Sequence, residues 1–255
     1  MKLKDSVVSV LLPVYNAGKY LPECLESLKE QSYDNLQIIA IDDKSKDNSF
    51  AILKKFQKKY KNLEVYSNKK HYGLAVCYNR MLRVAKGRFI AFANPNDINA
   101  VHRFKRQINF LLKNPRTVAI GTQYTVIDEQ MKKLDRSELP QDHEVIYNTL
   151  LQNNSLHPET VMVDRTLLPK DLLYFKTNKY PLIFAEVFIK FFQYGQVANL
   201  THSLYFQRTN IKRLGRKASR FKHMASLLKL VVSSRSNHDY RPPLRSLFSP
   251  LVKGA

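Results

Sequence analysis

Residues 8–16 read VSVLLPVYN, and this short stretch decides the fold of the chain. Its leading residues are almost all apolar and rich in valine, which is typical of a strand that is covered on both faces. The run stops abruptly at polar Asn16, where the chain would leave the sheet. We therefore predict a buried parallel strand that ends in a polar turn.

The same kind of apolar run recurs further along the chain, at 36–41, 63–66 and 89–92. Apolar residues at helical spacing predict helices over 20–28, 49–60, 74–85 and 101–111. Strands that alternate with helices of about 10–15 residues indicate βαβ units and a parallel sheet. Beyond residue 120 a looser pattern predicts strands near 118–123 and 160–163 and helices near 144–151 and 186–194.

The composition excludes several classes of protein. The chain has 255 residues, of which 44% are hydrophobic, and this is enough for a packed core. Two cysteines, Cys24 and Cys77, cannot form a disulfide scaffold in so long a chain, and we predict both to be reduced core thiols. No apolar run reaches the ~18 residues of a membrane span, and Ser9 interrupts the run nearest the N-terminus. We therefore expect a cytoplasmic protein.

The chain carries a large positive charge that is concentrated near its end. Lys and Arg number 42 against 21 Asp and Glu, which gives a formal net charge of +21. Residues 208–255 hold 12 of these basic residues and a single acid, Asp239. The same segment contains an apolar stripe formed by Phe221, Met224, Leu228 and Val231. A basic amphipathic tail of this kind favours binding to an anionic membrane surface; the alternative is that the stripe packs on the rest of the chain.

Polar side chains follow three of the predicted strands. The strands end in PVYN at 13–16, in DDKSKDNS at 42–49 and in NPND at 94–97. Because ligands bind at the carboxyl ends of the strands in open parallel sheets, we expect these groups to line one crevice. Carboxylates there can accept hydrogen bonds from a base or a ribose, or hold a divalent ion against a diphosphate. The alternative is ordinary turn chemistry, with Asp47 and Ser49 as helix N-caps.

Taken together, these segments resemble the family 2 glycosyltransferases of the A-type fold. Residues 8–16 are similar to the family's opening strand, and IDDKSKDNS at 41–49 is similar to its second signature, usually Asp-Asp-Gly-Ser-Thr-Asp. Further matches are Asn68, Gly73, Asn79 and Gly87, and RFKRQ at 103–107, where the family usually has Arg-Leu-x-x-Gln. The resemblance is specific over 6–115 and continues more weakly to about 208.

The resemblance implies an α/β fold that is Rossmann-like, with a mostly parallel central sheet flanked by helices. It implies one glycosyltransferase A-type domain over 1–207, divided into a nucleotide-binding half at 1–115 and an acceptor half at 116–207. The basic amphipathic C-terminal tail, residues 208–255, is predicted to be helical and is not covered by the resemblance.

The resemblance also implies roles for the residues of the crevice. The predicted nucleotide-sugar-binding residues are Pro13, Val14, Tyr15, Asn16, Asp43, Asn79, Asn94, Asn96 and Arg208. The backbone at 13–15 and Asp43 would cradle the base, Asn96 would meet the ribose and Arg208 the diphosphate. Asp97 would bind a divalent metal, Mn or Mg, on the donor diphosphate. His157 would contact the acceptor.

Two motifs depart from the family pattern. The metal strand, usually Asp-Ala-Asp-Asp, is Asn-Pro-Asn-Asp at 94–97, so amides replace two acids. The Glu-Asp pair that supplies the family's base aligns with Ile-Phe at 183–184. Glu186, one helical turn away, is the nearest candidate base, and its alternative is an exposed helix acid. Asp164 and Asp171 are weaker substitutes.

We interpret the chain as an inverting glycosyltransferase. It would move a sugar from a nucleotide-diphosphate donor to a glycan or lipid-linked acceptor, in cell-surface polysaccharide or lipopolysaccharide assembly. In this family a carboxylate base activates the acceptor hydroxyl, and the metal neutralises the leaving diphosphate. The basic tail would place the enzyme at the inner face of the membrane.

Two other functions are compatible with parts of the sequence. The missing base pair suggests a catalytically impaired relative that acts as a scaffold or partner of an active transferase. The positive charge suits nucleic-acid phosphates. However, the sequence contains no helix-turn-helix signature, zinc-finger spacing or aromatic sheet motif, so we expect no nucleic-acid partner.

Overall fold

The computed structural model of this chain describes residues 6–152, 155–177, 182–209, 220–238 and 240–241. The strands are β1 (Val8–Val14), β2 (Leu36–Asp42), β3 (Leu63–Ser67), β4 (Phe89–Phe92), β5 (Ile98–Asn99), β6 (Thr117–Ile127), β7 (Lys133–Arg136), β8 (Met162–Asp164) and β9 (Gln196–Arg208). The α-helices are α1 (Leu21–Lys29), α2 (Ser49–Lys59), α3 (Leu74–Val84), α4 (Arg103–Lys113), α5 (His143–Thr149), α6 (Ile183–Phe191) and α7 (Arg220–His238).

All of these strands belong to one sheet, in the order β3-β2-β1-β4-β8-β6-β9-β5, with β7 paired to β6 outside that path. The first half of the sheet is parallel, and β1 pairs with β2 from Val8↔Leu36 to Val14↔Asp42. Helices α1, α2 and α3 lie between these strands in the chain, so the βαβ units expected from the sequence are confirmed. The carboxyl ends of β1, β2 and β4 therefore meet at one edge of the sheet.

The second half of the sheet is mixed and was predicted less well. Strand β8 pairs antiparallel with β4, and β6 pairs antiparallel with β8, so of these two strands only β8 runs against the first half of the sheet. Strand β9 runs parallel to β6. The short strands β5 and β7 and the long strand β9 were not predicted. The pairing of β9 with β6 shifts register at three places, and Thr201 and His202 are exposed in its middle. These interruptions remove the period of two that identifies a strand.

Two apolar layers cover the two faces of the sheet. Val8, Val10 and Leu12 of β1 pack with α1, α2 and α4, whereas Leu11 packs with α3, α5, α6 and α7. This alternation is the side-chain period of a strand that is buried on both faces. Cys24 lies in the first layer and Cys77 in the second, both buried and free, as predicted.

Helix α7 and the residues just after it pack on the domain. Leu230, Val231 and Tyr240 are buried in the same apolar layer as α6. The Tyr240 ring stacks on Phe192 at 5.4 Å, and its hydroxyl donates to the Tyr147 carbonyl at 2.8 Å. The packing alternative for the tail is therefore observed in this part of it. No helix among the described residues is long and apolar enough to cross a membrane.

The predicted stripe of the tail is wrong at one position. Leu228 is 49% exposed, because α7 turns Leu230, Val231 and Ser234 toward the domain instead. The side chains of Phe221 and Met224 lie outside the described residues. Binding of residues 208–255 to a membrane stays a prediction.

A buried polar network joins the two halves of the sheet through α4. Arg103 is fully buried and donates to the Phe92 carbonyl at 3.0 Å and to Gln107 Oε1 at 3.2 Å. Gln107 in turn donates through Nε2 to the carbonyls of Ile120 and Thr160, each at 2.8 Å. Burial lowers the pKa of Arg103 to about 10, so its guanidinium remains charged at neutral pH. The Arg and Gln of the 103–107 motif therefore tie β4 to β6 and to the turn at 158–160.

Replacing Gln107 by alanine should destabilise the protein, because two buried carbonyls lose their shared donor. We expect a loss of about 2–3 kcal/mol in the free energy of unfolding, measured by urea denaturation. Lys105→Ala on the exposed side of the same helix is the matched control and should change it by less than about 0.5 kcal/mol. Equal stability of the two variants would contradict this account of the network.

Candidate functional site

The loops after β1 and β2 are joined by hydrogen bonds at the carboxyl edge of the sheet. The Asn16 amide donates to Ser45 Oγ at 3.0 Å, and Asn16 Oδ1 accepts from the Lys46 amide at 2.8 Å. Asn16 has a φ of 47°, a left-handed conformation that asparagine tolerates better than most residues. Asp47 accepts from the Gly18 amide at 2.9 Å. These contacts fix the backbone that the sequence predicts to cradle the base.

Asp47 and Ser49 make turn contacts, but the N-cap of α2 is Asn48, so the interpretation of these two residues as N-caps is wrong. Asp47 Oδ1 accepts from the Ser49 hydroxyl at 2.6 Å and from the Ser49 amide at 3.0 Å. Ser49 Oγ also accepts from the Ala17 amide at 2.9 Å. Their side chains therefore hold the two loops together.

Asp43 directly follows β2 and is fully buried, and the loop that follows β3 wraps around its side chain. Its carboxylate accepts from the amides of Tyr72 at 2.9 Å and Gly73 at 2.7 Å, and from the side chain of Asn68. Gly73 has a φ of 87°, which favours glycine and lets the chain turn into α3 directly after this contact. His71 Nδ1 lies 2.9 Å from Asp43 Oδ2.

Tyr15 and His71 form the exposed part of this site. Their ring centroids are 4.1 Å apart, and the His71 side chain is about half exposed. Val14 and Pro13 are buried within β1, and the Val14 carbonyl accepts from the Asp43 amide at 2.8 Å. The structure therefore brings Asp43 and Tyr15 together as expected. Sequence reasoning missed His71; the available signal was its place just after a predicted strand, at the ligand-binding edge.

Residues 94–97 form a tight turn at the end of β4. Asn94 Oδ1 accepts from the Asn96 amide at 3.0 Å, and the Asn94 carbonyl accepts from the Asp97 amide at 3.1 Å. Asp97 is fully buried, and its carboxylate accepts from the Tyr205 hydroxyl at 2.8 Å and from the Arg208 amide at 2.9 Å. The motif thus lies at the predicted edge, and Asp97 connects it to β9.

Arg208, the last residue of β9, lies beneath this edge with its guanidinium fully buried. It donates to the carbonyls of Asn96 at 3.2 Å and Glu129 at 3.1 Å, and it pairs with the Glu23 carboxylate. It also lies over the Tyr20 ring, 4.4 Å from the centroid. These contacts join α1, the turn at 94–97 and the loop after β6. Contact of Arg208 with a diphosphate stays a prediction.

The described residues contain no group of three or more His, Cys, Asp or Glu side chains that could hold a metal ion. Asp97 offers one carboxylate, and Asn96 beside it is nearly buried. Mg²⁺ often binds through one or two carboxylates together with substrate phosphates. The donor set therefore fits an ion that arrives with a diphosphate, rather than one that the protein holds alone.

The side-chain amide of Asn79 is hydrogen-bonded within the protein at both of its ends. Its Nδ2 donates to the Phe175 carbonyl at 2.8 Å, and its Oδ1 accepts from the Phe175 amide at 2.9 Å. The side chain therefore anchors the segment before α6. Contact of Asn79 with a donor stays a prediction.

Phe184 is the residue that the sequence alignment matches to the family's base. Its ring lies 5.3 Å from Tyr78, 5.4 Å from Phe92 and 5.3 Å from Phe175. We call these four residues the aromatic cluster. Burial, followed by the charge of Glu159, raises the pKa of Tyr78 well above its usual value. The place of the missing pair is thus filled by packed rings.

Glu186 is buried, so the alternative of an exposed helix acid is wrong. The residue is 3% exposed, and its Oε1 pairs with Lys190 at 3.2 Å and with Lys176 at 3.3 Å. Its role as a base stays a prediction.

The two weaker substitutes lie in different surroundings. Asp164 pairs with Arg88 and lies opposite Phe89, at the start of β4. That is the end of the strand opposite to the crevice, so Asp164 is wrong as a candidate base. Asp171 is exposed in a turn before α6.

His157 and Glu159 lie beside the end of β4. His157 Nε2 is 3.2 Å from Glu159 Oε2, and the His157 ring packs on Tyr124 with 4.4 Å between centroids. The Phe92 amide donates to the Val161 carbonyl at 3.3 Å, which joins this segment to the edge that carries Asp97. No sequence pattern pointed to Glu159, because its position depends on the antiparallel pairing of β8 with β4.

Known proteins match the chain in sequence. The family model described as glycosyl transferase family 2 matches residues 9–169. An uncharacterized glycosyltransferase of Haemophilus influenzae is 33% identical over 162 residues, which cover 62% of each protein. The Escherichia coli UDP-Glc:alpha-D-GlcNAc-diphosphoundecaprenol beta-1,3-glucosyltransferase WfgD is 34% identical over 167 residues, 65% of this chain and 63% of WfgD. The chain thus spans somewhat less than two thirds of the length of these relatives.

Two solved structures match the fold. TarS 1–349 of S. aureus in complex with UDP-GlcNAc has a TM-score of 0.73 and 19% identity, with 88% of this chain and 65% of TarS covered. The mannosyltransferase PcManGT of Pyrobaculum calidifontis, in complex with GDP-Man and Mn²⁺, has a TM-score of 0.67 and 18% identity, with 96% and 67% covered. The expected glycosyltransferase A-type fold is thereby confirmed.

Thiol labelling can test the packing around Asp43. Asn68 contacts both Asp43 and Cys77 Sγ, and burial raises the pKa of Cys77 to about 12 and also raises that of Cys24. A thiol with a pKa of about 12 is ionised in roughly one molecule in ten thousand at pH 8. We expect an aromatic disulfide reagent to label neither cysteine at pH 8 until the protein unfolds.

The variant Asn68→Ala should open the loop at 68–73 and accelerate labelling of Cys77 about tenfold, while Cys24 stays protected. Peptide mass mapping distinguishes the two sites. Rapid labelling of Cys77 in the unaltered protein would show that this loop does not close over Asp43.

Proposed function

The chain belongs to glycosyl transferase family 2, and we propose that it transfers a sugar from a nucleotide-diphosphate donor to a hydroxyl group of a glycan or lipid-linked acceptor. The observation that carries this proposal is the gathering of Tyr15, His71 and Asp43 near the 94–97 turn, at the carboxyl edge of parallel strands. That edge is where open α/β sheets bind nucleotides.

The donor would lie across this edge with its base at the Asp43 end. Asp43 is rigidly held by backbone amides, and the adjacent rings of Tyr15 and His71 present an aromatic surface beside it. The backbone at 13–16 and the amides of Asn94 and Asn96 would complete the contacts. The printed names of TarS with UDP-GlcNAc and PcManGT with GDP-Man support a nucleotide sugar as donor.

A divalent cation, Mn or Mg, would be held by Asp97 together with oxygen atoms of the donor. When bound, it supplies positive charge that stabilises the leaving diphosphate. Asp97 itself keeps the turn at 94–97 in place through its contacts with β9.

The transfer would invert the anomeric centre by direct displacement. The acceptor oxygen attacks the anomeric carbon, the bond to the diphosphate breaks, and a carboxylate base takes the hydroxyl proton. Glu186 is the candidate that the sequence suggests for this base.

The acceptor would belong to cell-surface polysaccharide assembly. The printed name of WfgD specifies a lipid-linked sugar acceptor, and another relative is the minor teichoic acid biosynthesis protein GgaB of Bacillus subtilis. The basic segment 208–255 would hold the protein at the inner face of the membrane, on the cytoplasmic side.

One observation favours a second function. Phe184, at the place of the family's base pair, is packed into the aromatic cluster. A relative without a base would bind the donor but transfer nothing, and it would act as a scaffold or partner of an active transferase.

Calorimetric titration with UDP and GDP, each with and without manganese, tests the donor site. We expect one of these nucleotides to bind, and His71→Ala to weaken that binding about tenfold, because it removes the ring that packs on Tyr15. His102→Ala, which alters an exposed histidine bonded to Ser32, is the matched control and should leave binding unchanged. Absence of binding by both nucleotides would refute the donor site.

Transfer itself is tested with radiolabelled UDP-hexoses and a synthetic GlcNAc-diphosphate lipid. We expect a labelled glycolipid whose new linkage has the anomeric configuration opposite to that of the donor, determined by NMR. Nucleotide binding without transfer to this acceptor or to a membrane extract would instead identify the catalytically impaired relative.

A further inference from the structure

We propose that Glu159, oriented by His157, is the catalytic base of the transfer reaction. This inference rests on the proposed function and assigns a residue to its proton-transfer step. The candidate from the sequence, Glu186, lies on α6, whereas Glu159 lies in the turn before β8.

The sheet topology places Glu159 at the reacting edge. Strand β8 runs antiparallel to β4, with Ala91 opposite Met162, and the Phe92 amide bonds to the Val161 carbonyl. Glu159 precedes Val161 by two residues, just as Asn94 follows Phe92 by two. The start of the β8 segment and the turn at 94–97 therefore share one edge.

The turn that carries Glu159 is rigid. The His157 carbonyl accepts from the Thr160 amide at 2.9 Å and from the Thr160 hydroxyl at 2.8 Å. The Thr160 carbonyl accepts from the buried Gln107 at 2.8 Å. A catalytic group needs a fixed position, because small displacements from the reactive geometry reduce the rate strongly.

His157 lies within ion-pair distance of the carboxylate. Its Nε2 is 3.2 Å from Glu159 Oε2, and its ring is packed on Tyr124. The two side chains are 10% and 19% exposed, so Glu159 is sheltered but keeps some access to solvent. A carboxylate paired with an oriented histidine is a common arrangement for moving protons.

A second tyrosine, Tyr205, connects this pair to Asp97. The Tyr205 hydroxyl donates to Asp97, and the Tyr205 ring lies 6.2 Å from the ring of His157. The charge of Glu159 also acts on Tyr78, which packs on Phe184. Glu159 therefore lies close both to the proposed diphosphate site and to the position of the missing base pair.

Glu186 is less suited to this step. It is 3% exposed and lies between Lys176 and Lys190, so an acceptor hydroxyl has little access to it. A catalytic base must come within about 3 Å of the proton that it accepts.

The groups named above account for every bond that forms or breaks in the transfer. Glu159 takes the proton of the acceptor hydroxyl while the oxygen forms its bond to the anomeric carbon. The bond between that carbon and the diphosphate oxygen breaks, and its electron pair leaves with the nucleoside diphosphate. His157 is a positioning residue, because it acts through the carboxylate.

The test compares Glu159→Gln and Glu186→Gln in the full chain, with Glu144→Gln on the exposed face of α5 as the matched control. The substrates are UDP-hexoses and the synthetic GlcNAc-diphosphate lipid, and the readouts are kcat, affinity for UDP and the pH profile. We expect Glu159→Gln to lower kcat by about a hundredfold or more, with affinity for UDP unchanged within twofold. The rise of kcat from acidic to neutral pH should also disappear.

Further variants distinguish a loss of catalysis from a loss of folding. Glu159→Asp keeps the negative charge but places it on a side chain that is shorter by one methylene group. We therefore expect a smaller loss of kcat and a retained pH dependence. His157→Gln should lower kcat about tenfold without weakening UDP binding, and the thermal midpoint of each variant reports folding.

The possible results separate the inference from the proposed function. If Glu159→Gln keeps kcat within threefold of the unaltered protein, or if Glu186→Gln alone abolishes transfer, Glu159 is not the base. If the unaltered protein transfers no sugar from any donor, the proposed function fails, and the inference fails with it.

Discussion

The buried carboxylate of Asp97 is the contact on which the two halves of the molecule depend. A buried charge is tolerated only when hydrogen bonds compensate for its lost hydration. Here the compensating donors are the Tyr205 hydroxyl and the Arg208 amide, both from β9. The requirement for these donors fixes the end of the long strand against the turn at 94–97. Arg208 then extends the connection to Glu23 of α1.

The parallel half of the fold could be predicted because its signals are local. Residues 8–14 and 36–42 are continuous apolar runs, and buried strands require such runs whatever their partners are. The mixed half could not be predicted in the same way. Strand β9 carries exposed Thr201 and His202, and its shifted pairing with β6 is set by contacts far apart in sequence. A strand that is stabilised mainly by contacts with neighbouring strands need not show a strand-like pattern in its own sequence.

The residues of the candidate site show the same difference between local and tertiary signals. Asp43, Asn96 and Asp97 were predictable because strand ends carry them directly to the edge. His71 and Glu159 were missed because their positions depend on tertiary contacts, with Asp43 in one case and with β4 in the other. Asn79 shows the reverse situation. Its type and spacing match a motif, yet both ends of its amide bind the backbone of Phe175.

The aromatic cluster includes Phe184, the residue of α6 that the sequence alignment matches to the family's base pair. Phe184 contacts Tyr78, Phe92 and Phe175, of which Phe92 and Phe175 are fully buried and Tyr78 nearly so. Phe184 is partly buried against these rings, and its side chain cannot accept a proton. If the chain transfers a sugar, another carboxylate must take the proton of the acceptor hydroxyl. The turn before β8 satisfies that requirement, because pairing with β4 brings it beside the motif and His157 supplies the partner that a sheltered charge needs.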